Sequence, residues 1–308
     1  MMDNNQISKV LEHFNIEFEN TSSFEIYGAP SRSADREVVT DKNNEKFIIE
    51  KHHFWNMSKK VKIAENINLL YNNGFEECSP YIYSAQGTPV IEFENRCWMV
   101  QKFIDHDILQ RPDYLDDGLK GTAAAETLLK MYEISSNLKM NDTIDSFSLA
   151  EHTLKTVRKI RNIHPEILSK ISDVINIIEH SFMPLIEEMP LVFCHGDYHP
   201  LNILWDGNNL KKVIDWEFSG YRPMLTDIAN IIGCAGFENI SAFDRNFVRK
   251  FLQVIDKYHY FKRYDFNAII IFVIGFRFSG WLNEWIKDKD GAMVQRETEY
   301  LNFLREMI

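Results

Sequence analysis

The chain has 308 residues, of which 45% are hydrophobic and 13% aromatic, and its formal net charge is −11. This length allows a large core, in one big domain or in two lobes. The negative charge argues against a nucleic-acid-binding protein, which needs a basic surface. It is compatible with a cationic small substrate, and equally with a surface that is acidic only for solubility.

The cysteines and the apolar segments indicate where the protein works. Four dispersed cysteines without a CxxC pair predict neither a zinc site nor a disulfide framework and fit a reducing cytoplasm. The N-terminal MMDNNQISKVLEHF lacks the apolar core of a signal peptide. The longest apolar run, AIIIFVIGF at 268–276, is about half as long as a membrane helix requires. We therefore expect a cytoplasmic protein with no membrane partner and a buried core helix at this run.

The first hundred residues alternate between strand and helix patterns. Apolar spacing predicts a helix over 6–18 and another over 59–72, closed by Gly74. Phe24 and Ile26 alternate with polar residues and indicate a strand. Further strands are predicted over 36–39, 46–49, 80–84, 90–94 and 97–104.

The rest of the chain is mainly helical. Helices are predicted over 118–138, 152–163, 167–186 and from 226 to the C-terminus, with breaks at Pro165 and Pro184. Short strands are predicted over 191–194, 203–205 and 212–214. A β-rich front and a helical back predict two lobes, residues 1–104 and 105–308.

The stretch FCHGDYHPLNILW, residues 193–205, gathers the polar residues that carry chemistry. Its GDYH resembles a piece of the metallophosphatase motif, but two-metal chemistry also needs an earlier Asp-x-His and a later Gly-Asn-His. The sequence contains no later Gly-Asn-His, and Asp105-His106-Asp107 has the wrong order. A polar turn without chemistry is a further alternative, because single Asp, Asn or His residues are usually structural.

A kinase loop is the third interpretation. Phosphoryl transfer needs a group that orients the attacking hydroxyl and accepts its proton, and oxygen ligands for Mg²⁺. Asp197 suits the first role, and Asn202 lies five positions later, within the same loop. A predicted hairpin then returns Asp215 beside the loop. Carboxylate and amide oxygens are suitable Mg²⁺ ligands.

These residues carry a family resemblance. HGDYHPLNILW followed by VIDWE resembles the aminoglycoside phosphotransferase and choline kinase-like family, with its loop H-G-D-x-H-x-x-N and metal strand I-D-[WF]-E. Two motifs in order, with a hairpin between them, are more specific than one short motif. The resemblance implies an α+β, protein kinase-like two-lobed fold: a β-rich N-lobe with one main helix, and a helical C-lobe. It also implies ATP and Mg²⁺ as cofactors.

The resemblance assigns roles around the loop. Asp197 matches the catalytic aspartate, and Asn202 and Asp215 match the metal ligands. We expect the remaining matched residues to support the loop. A phosphate contact is the alternative for His199, and Asp227 also has a plain capping explanation at the start of its helix. These supporting residues are His195, His199 and Asp227.

The nucleotide-binding residues match the family less well. The family has a strand ending in Lys, then a helix carrying Glu; here the candidates are Lys51 and Glu65, although Glu50 occupies the place where many members have their lysine. Solvated surface charges are the alternative. The phosphate loop YGAPSRSADREV has a single glycine, so phosphate contacts by Gly28, Ser31 and Ser33 compete with a small polar turn. In the expected hinge WMVQKFID the candidates for the adenine pocket are Met99, Gln101 and Phe103.

The acceptor site is the least defined part of the sequence. Two tryptophans four apart, with a nearby carboxylate, could enclose a cationic amine, or could simply be core. Two residues after the metal aspartate could face the acceptor, and Arg222 or Arg277 would suit an anionic or sugar substrate. The acceptor candidates are Trp216, Glu217, Trp281, Glu284 and Trp285.

Together these features predict an ATP- and Mg²⁺-dependent phosphotransferase. It would move the γ-phosphoryl group to a hydroxyl of a small molecule: an aminoglycoside, a choline-like amino alcohol, homoserine or a sugar. A catalytically weak, nucleotide-binding pseudokinase is the main alternative, against which the intact Asp197, Asn202 and Asp215 argue. A metallophosphatase is the other. The sequence does not indicate an oligomeric state.

Overall fold

The computed structural model describes residues 2–22, 35–143 and 148–308. The chain forms two compact units: Met1–His106 with Lys139–Thr143, and Asp107–Leu138 with Ile144–Ile308. In the described residues, the first unit holds a five-stranded antiparallel sheet and two α-helices, and the second is mainly helical. The predicted α+β class, with a β-rich first part and a helical second part, is confirmed.

The first unit is built on one sheet of strand order β1-β2-β3-β5-β4. Each described pair of neighbouring strands runs antiparallel. Its elements are α1 (Asn4–Glu12), β1 (Phe18–Thr21), β2 (Asp35–Asp41), β3 (Lys46–His53), α2 (Met57–Asn72), β4 (Ile91–Phe93) and β5 (Arg96–Lys102).

The two faces of this sheet differ in chemistry. Because side chains alternate along a strand, Phe47 and Ile49 of β3 point to one face and Glu50 to the other. The first face packs against the apolar side of α1, including Val10 and Leu11. Full burial stabilises each such side chain by about 1.5–3 kcal/mol.

Some predictions for the first unit were wrong. The opening helix ends at Glu12 rather than at residue 18, and Asn15 follows with a left-handed φ of 56°. Residues 80–84 form a single bridge, Tyr81 to Gln101, instead of a strand. The Asn68 side chain accepts from the Tyr81 N–H (2.7 Å) and donates to its carbonyl (3.0 Å), so it replaces ladder bonds there. The strand predicted at Phe24 and Ile26 lies outside the described residues.

The second unit contains nine of the described α-helices and four short strands, with 3₁₀ and π turns between them. Its helices are α3 (Gly118–Ser136), α4 (Leu149–Ile163), α5 (Pro165–Ile177), α6 (Met183–Glu187), α7 (Thr226–Glu238), α8 (Asn246–Lys257), α9 (Phe266–Arg277), α10 (Asn283–Lys287) and α11 (Gly291–Arg305). Its strands are β6 (Leu191–Cys194), β7 (Ile203–Asp206), β8 (Asn209–Val213) and β9 (Gly220–Pro223).

The two prolines of the second unit act differently. Pro165 begins α5, as a proline without an N–H can at a first helical position. Pro184 does not end its helix as predicted. A π turn over Ile178–Phe182 precedes it, and the helix continues as α6. A π turn changes the local hydrogen-bond pattern, so the helix can continue although proline has no N–H to donate.

The apolar run near residue 270 forms part of a continuous helix over Phe266–Lys287. This helix is long and apolar enough to cross a membrane, but 61% of its apolar window is buried inside the protein. Helices in the cores of soluble domains have the same composition, so this helix is weak evidence for a membrane span.

The strands of the second unit form two small antiparallel pairs. Strands β7 and β8 make the predicted hairpin, with Ile203 opposite Val213. Strand β6 pairs with β9, a strand that local sequence pattern does not predict. The loop between β6 and β7 carries the HGDYH motif and is thus fixed at both ends.

Candidate active site

His195 forms the inner wall of the loop. It is fully buried. Its Nδ1 accepts from the Asp197 backbone N–H at 3.2 Å, and its Nε2 lies 2.9 Å from the Ile214 carbonyl, to which it donates. A neutral imidazole has one acceptor nitrogen and one donor nitrogen, and both are satisfied here. Burial accordingly lowers the pKa of His195 to about 4.

Gly196 follows at a point that only glycine fits. Its φ of 83° lies in the left-handed region. A Cβ there would meet the Phe218 carbonyl oxygen at 2.1 Å. The loop therefore passes directly over the chain that follows Asp215.

Asp227 holds the loop from α7. Its two carboxylate oxygens accept from the backbone N–H groups of His195 and Gly196, each at 2.8 Å. Burial raises the pKa of Asp227 to about 6, and the two N–H donors oppose this rise. Asp227 lies in the first turn of α7, yet its carboxylate binds the loop, so it braces the loop rather than capping the helix.

Asp197 lies at the centre of these contacts. Its Oδ1 accepts from Asn230 Nδ2 at 3.1 Å, and its Oδ2 accepts from Asn202 Nδ2 at 3.2 Å. His199 Nε2 is 3.6 Å from Oδ2, and its Nδ1 accepts from a loop N–H. Burial by itself raises the pKa of Asp197, but the two histidines and the Asn230 amide outweigh it and lower the pKa. About 22% of the Asp197 side chain is exposed, so the carboxylate can be reached.

Ile214 joins the two sequence motifs. Its N–H donates to the Asn202 carbonyl at 2.9 Å, and its own carbonyl accepts from His195. Asp215 is the next residue, with φ 64° and ψ 61°. A left-handed conformation is uncommon for a residue with a side chain, although Asp tolerates it better than most. It turns the chain out of β8 at the loop.

The chemistry of Asn202 and Asp215 fits a magnesium ion. Asn202 uses its Nδ2 to donate to both the carbonyl and the carboxylate of Asp197, so the amide oxygen is the atom left for a ligand. Asp215 is exposed and provides a carboxylate. Such hard oxygens are what Mg²⁺ prefers.

The predicted ion pair between Lys51 and Glu65 is not formed. Lys51 lies on the α1 face of the sheet, where its Nζ donates to Gln6 Oε1 at 3.0 Å and lies 5.2 Å from the Trp98 ring centre. Glu65 is exposed on α2 and accepts from Asn141 Nδ2 at 3.1 Å. Successive side chains of a strand point to opposite faces, so Lys51 points to the α1 face and Glu50 to the other. Helix α2, which carries Glu65, also carries Lys60 near Glu50, so Lys51 and Glu65 lie on different sides of the sheet.

Glu50 instead occupies the other face, almost fully buried. Its carboxylate lies 3.4 Å from Arg36 Nε, accepts from His52 Nε2 at 2.9 Å, and accepts from Gln101 Nε2 at 3.4 Å. Burial by itself raises the pKa of Glu50, but Arg36, His52 and the nearby Lys60 outweigh it and hold the pKa well below its usual range. Sequence reasoning missed this cluster, although an acid among apolar strand residues was a signal for it.

The predicted nucleotide residues meet different outcomes. Met99 is fully buried and directly opposite Glu50. The Phe103 N–H donates to the Lys46 carbonyl at 3.0 Å, so this N–H is not left for adenine as predicted. Gln101 is paired on one side with β3 and bridged on the other to Tyr81. The predicted phosphate-loop residues Gly28, Ser31 and Ser33 lie outside the described residues.

Trp216, a predicted acceptor residue, packs in the core beside the loop. It is buried, its Nε1 donates to the Val213 carbonyl at 2.9 Å, and its ring packs 4.6 Å from that of His195. Arg277 is likewise buried against Glu297, and Arg222 donates to the Tyr221 carbonyl. These arginines therefore serve the core.

The tryptophan pair of the second unit is half-buried. Trp281 and Trp285 lie with ring centres 5.8 Å apart, and Glu284 accepts from Lys287 at 2.6 Å. The Arg277 guanidinium already lies 5.3 Å from the Trp281 ring. An acceptor role for this pair, and for the half-buried Glu217, stays a prediction.

Comparison with known proteins identifies the family. The profile of the phosphotransferase enzyme family matches residues 51–261, more than half of the chain. No curated protein sequence matches the chain. Several solved structures share the fold at low sequence identity.

Three of these structures span nearly the whole chain. Amicoumacin kinase hAmiN in complex with AMP-PNP, Ca²⁺ and Ami has a TM-score of 0.70 at 13% identity, covering 100% of this chain and 98% of that one. The GDP and kanamycin complex of APH(2")-IIia has 0.68 at 15%, covering 99% of each chain. An aminoglycoside phosphotransferase from Alicyclobacillus acidocaldarius has 0.62 at 11%, covering 100% and 96%.

The fold and the family match define a kinase-type phosphotransferase that acts on small molecules. The chain belongs to the phosphotransferase enzyme family, so the predicted kinase class is confirmed and the metallophosphatase alternative is wrong.

Proposed function

We propose that this enzyme transfers the γ-phosphoryl group of ATP to a hydroxyl of a small molecule in a Mg²⁺-dependent reaction. The observation that carries the proposal is the pair of hydrogen bonds made by the Ile214 backbone, to Asn202 and to His195. These bonds hold the second motif, with Asp215, against the loop that carries Asp197 and Asn202. A base, two hard oxygen ligands and a buried support are the parts that phosphoryl transfer needs.

In this proposal Asp197 orients the acceptor hydroxyl and takes its proton. The acceptor oxygen bonds to the γ-phosphorus while the bond from that phosphorus to the β–γ bridging oxygen breaks, and ADP leaves. The lowered pKa keeps Asp197 ionised and able to accept a hydrogen bond. Asn202 and Asp215 would hold Mg²⁺, which neutralises charge on the phosphates.

The nucleotide phosphates also need a cation, and the first unit offers two candidates. Lys51 is the candidate from the sequence, but it lies on the α1 face. Lys60 is buried on α2 near Glu50, on the face that carries Met99. We favour Lys60, because Met99 is the residue expected beside adenine.

For the acceptor we propose a polyhydroxylated or amine-bearing alcohol, such as an aminoglycoside, an amino alcohol, homoserine or a sugar. Solved structures of the same fold include complexes with kanamycin and with spectinomycin. The net charge of −11 suits a cationic acceptor. The free thiols of all four cysteines fit a cytoplasmic location, where ATP is present.

The test is a screen for ADP release from Mg·ATP with kanamycin, choline, ethanolamine, homoserine and sugars as acceptors. We expect at least one acceptor to raise ADP release, EDTA to abolish it, and a phosphate monoester signal to appear by ³¹P NMR. Acceptor-dependent ADP release that survives EDTA would contradict the magnesium site. No acceptor-dependent release across the panel would contradict the proposed acceptor class.

A further inference from the structure

One side of α7 lines up three residues behind the catalytic loop. Asp227, Asn230 and Cys234 follow one another at spacings of three and four, which places them on one helix face. Asp227 binds the loop backbone, as described above. Asn230 is the next residue along this face, and no sequence motif assigned it a role.

Asn230 contacts the Asp197 carboxylate itself. It is 1% exposed, and its Nδ2 donates to Asp197 Oδ1 at 3.1 Å. Its Oδ1 accepts from the Cys234 thiol at 3.4 Å. Rotating the amide by half a turn would bring its oxygen against a carboxylate and its NH₂ against a donor. The two partners therefore fix the orientation of the amide.

The thiol is fixed in turn from behind. Burial raises the pKa of Cys234 to about 12, so the sulfur stays protonated and can donate. Arg277 Nη1 lies 3.7 Å from this sulfur. Its Nε and Nη2 donate to the two carboxylate oxygens of Glu297 at 2.7 and 2.6 Å. A bidentate, buried pair of this kind holds its guanidinium in one place.

We propose that Asn230 is a positioning residue for phosphoryl transfer, and that Cys234 keeps its amide in the donating orientation. This inference rests on the proposed function, in which Asp197 is the base. Asn230 holds Oδ1 from α7 and Asn202 holds Oδ2 from the loop, so the carboxylate is fixed at both oxygens. A carboxylate has about four lone-pair sites, so sites remain for the acceptor proton. The hydrogen bond from Asn230 sets the direction in which these remaining sites point.

The test replaces Asn230 by its closest relative in shape. Asn230→Asp removes the donor and places a like charge against Asp197. We expect kcat for the best acceptor of the panel to fall about 100-fold or more, as misplaced catalytic groups do, while the KM for ATP changes less than twofold. Asn68→Asp is the matched control. Asn68 is also buried and also bonded through both polar atoms, but to Tyr81 in the first unit. This control should lose melting temperature and keep its kcat.

Cys234 provides a graded second test. Cys234→Ser keeps an O–H donor for Asn230, and we expect kcat within about threefold of the parent enzyme. Cys234→Val removes the donor at similar volume, and we expect kcat to fall about tenfold, corresponding to one hydrogen bond. A purely structural role predicts instead that kcat per folded molecule is unchanged in both variants.

A crystal structure of Asn230→Asp provides a readout besides activity. We expect the Asp197 carboxylate to rotate away from its position against α7. An unrotated carboxylate together with an unchanged kcat would overturn the inference and leave the proposed function standing. Unchanged turnover in Asp197→Asn would instead overturn the proposed function, so the two failures are distinguishable.

Discussion

At the scale of single residues, the candidate site depends on buried side chains that hold the backbone of the loop. His195 satisfies the Asp197 N–H and the Ile214 carbonyl, and Asp227 satisfies the two N–H groups before it in the loop, those of His195 and Gly196. Each buried donor or acceptor left without a partner costs about 1–3 kcal/mol. Buried side chains therefore bond the backbone polar groups of the loop and hold it in one conformation.

His195 makes stability depend on pH. Its folded pKa of about 4 lies below the ordinary value of 6.5. The folded state thus binds this proton less readily than the unfolded state. The stability that His195 contributes is complete above about pH 6.5 and is lost as pH falls towards 4, by about 3 kcal/mol.

The free energy of urea unfolding, measured from pH 7.5 to 4, tests this dependence. The control is His195→Gln, which cannot gain a proton. We expect the parent protein to lose about 3 kcal/mol more than the variant over this range. Asp227 titrates with the opposite sign in both proteins and cancels in the difference. Parallel curves would show that His195 is not the group responsible.

At the scale of elements, the sequence predicted what local pattern determines. The strands β3 and β5, the helix α2 and the β7–β8 hairpin have clear apolar alternation or turn residues. Strand β9 was missed because it is short and exists only through its pairing with β6. Asn230 was missed for a related reason: its contact depends on how α7 packs against the loop, and no local pattern reports that packing.

The two candidate phosphate cations, Lys51 and Lys60, lie on opposite faces of the sheet that contains β3, so substitutions can distinguish them. We expect Lys60→Met to raise the KM for ATP about tenfold, since a hydrogen bond to a charged group contributes about 1.5–3 kcal/mol. Lys51→Met should change it less than threefold, because Lys51 lies on the α1 face. Lys60→Arg keeps the charge and should recover most of the affinity. A larger effect from Lys51 than from Lys60 would return the role to Lys51.

At the scale of the whole molecule, two short motifs, whose aspartates Asp197 and Asp215 lie 18 residues apart, were enough to predict the family. The family match and the α+β architecture bear this out. The acceptor could not be predicted in the same way, because its site would be formed by helices whose residues also make the core. Arg277 and Trp216 illustrate this ambiguity: the sequence offered both as acceptor contacts, and the structure shows both buried in support of other residues.

The central claim is that one carboxylate, Asp197, carries the chemistry. The most direct measurement compares Asp197→Asn with the parent enzyme, using kcat for the best acceptor and the Kd for ATP by calorimetry. We predict that kcat falls at least about 1,000-fold, since the amide cannot accept the hydroxyl proton, while the Kd changes less than threefold. Turnover close to that of the parent enzyme in a folded Asp197→Asn variant would contradict the account.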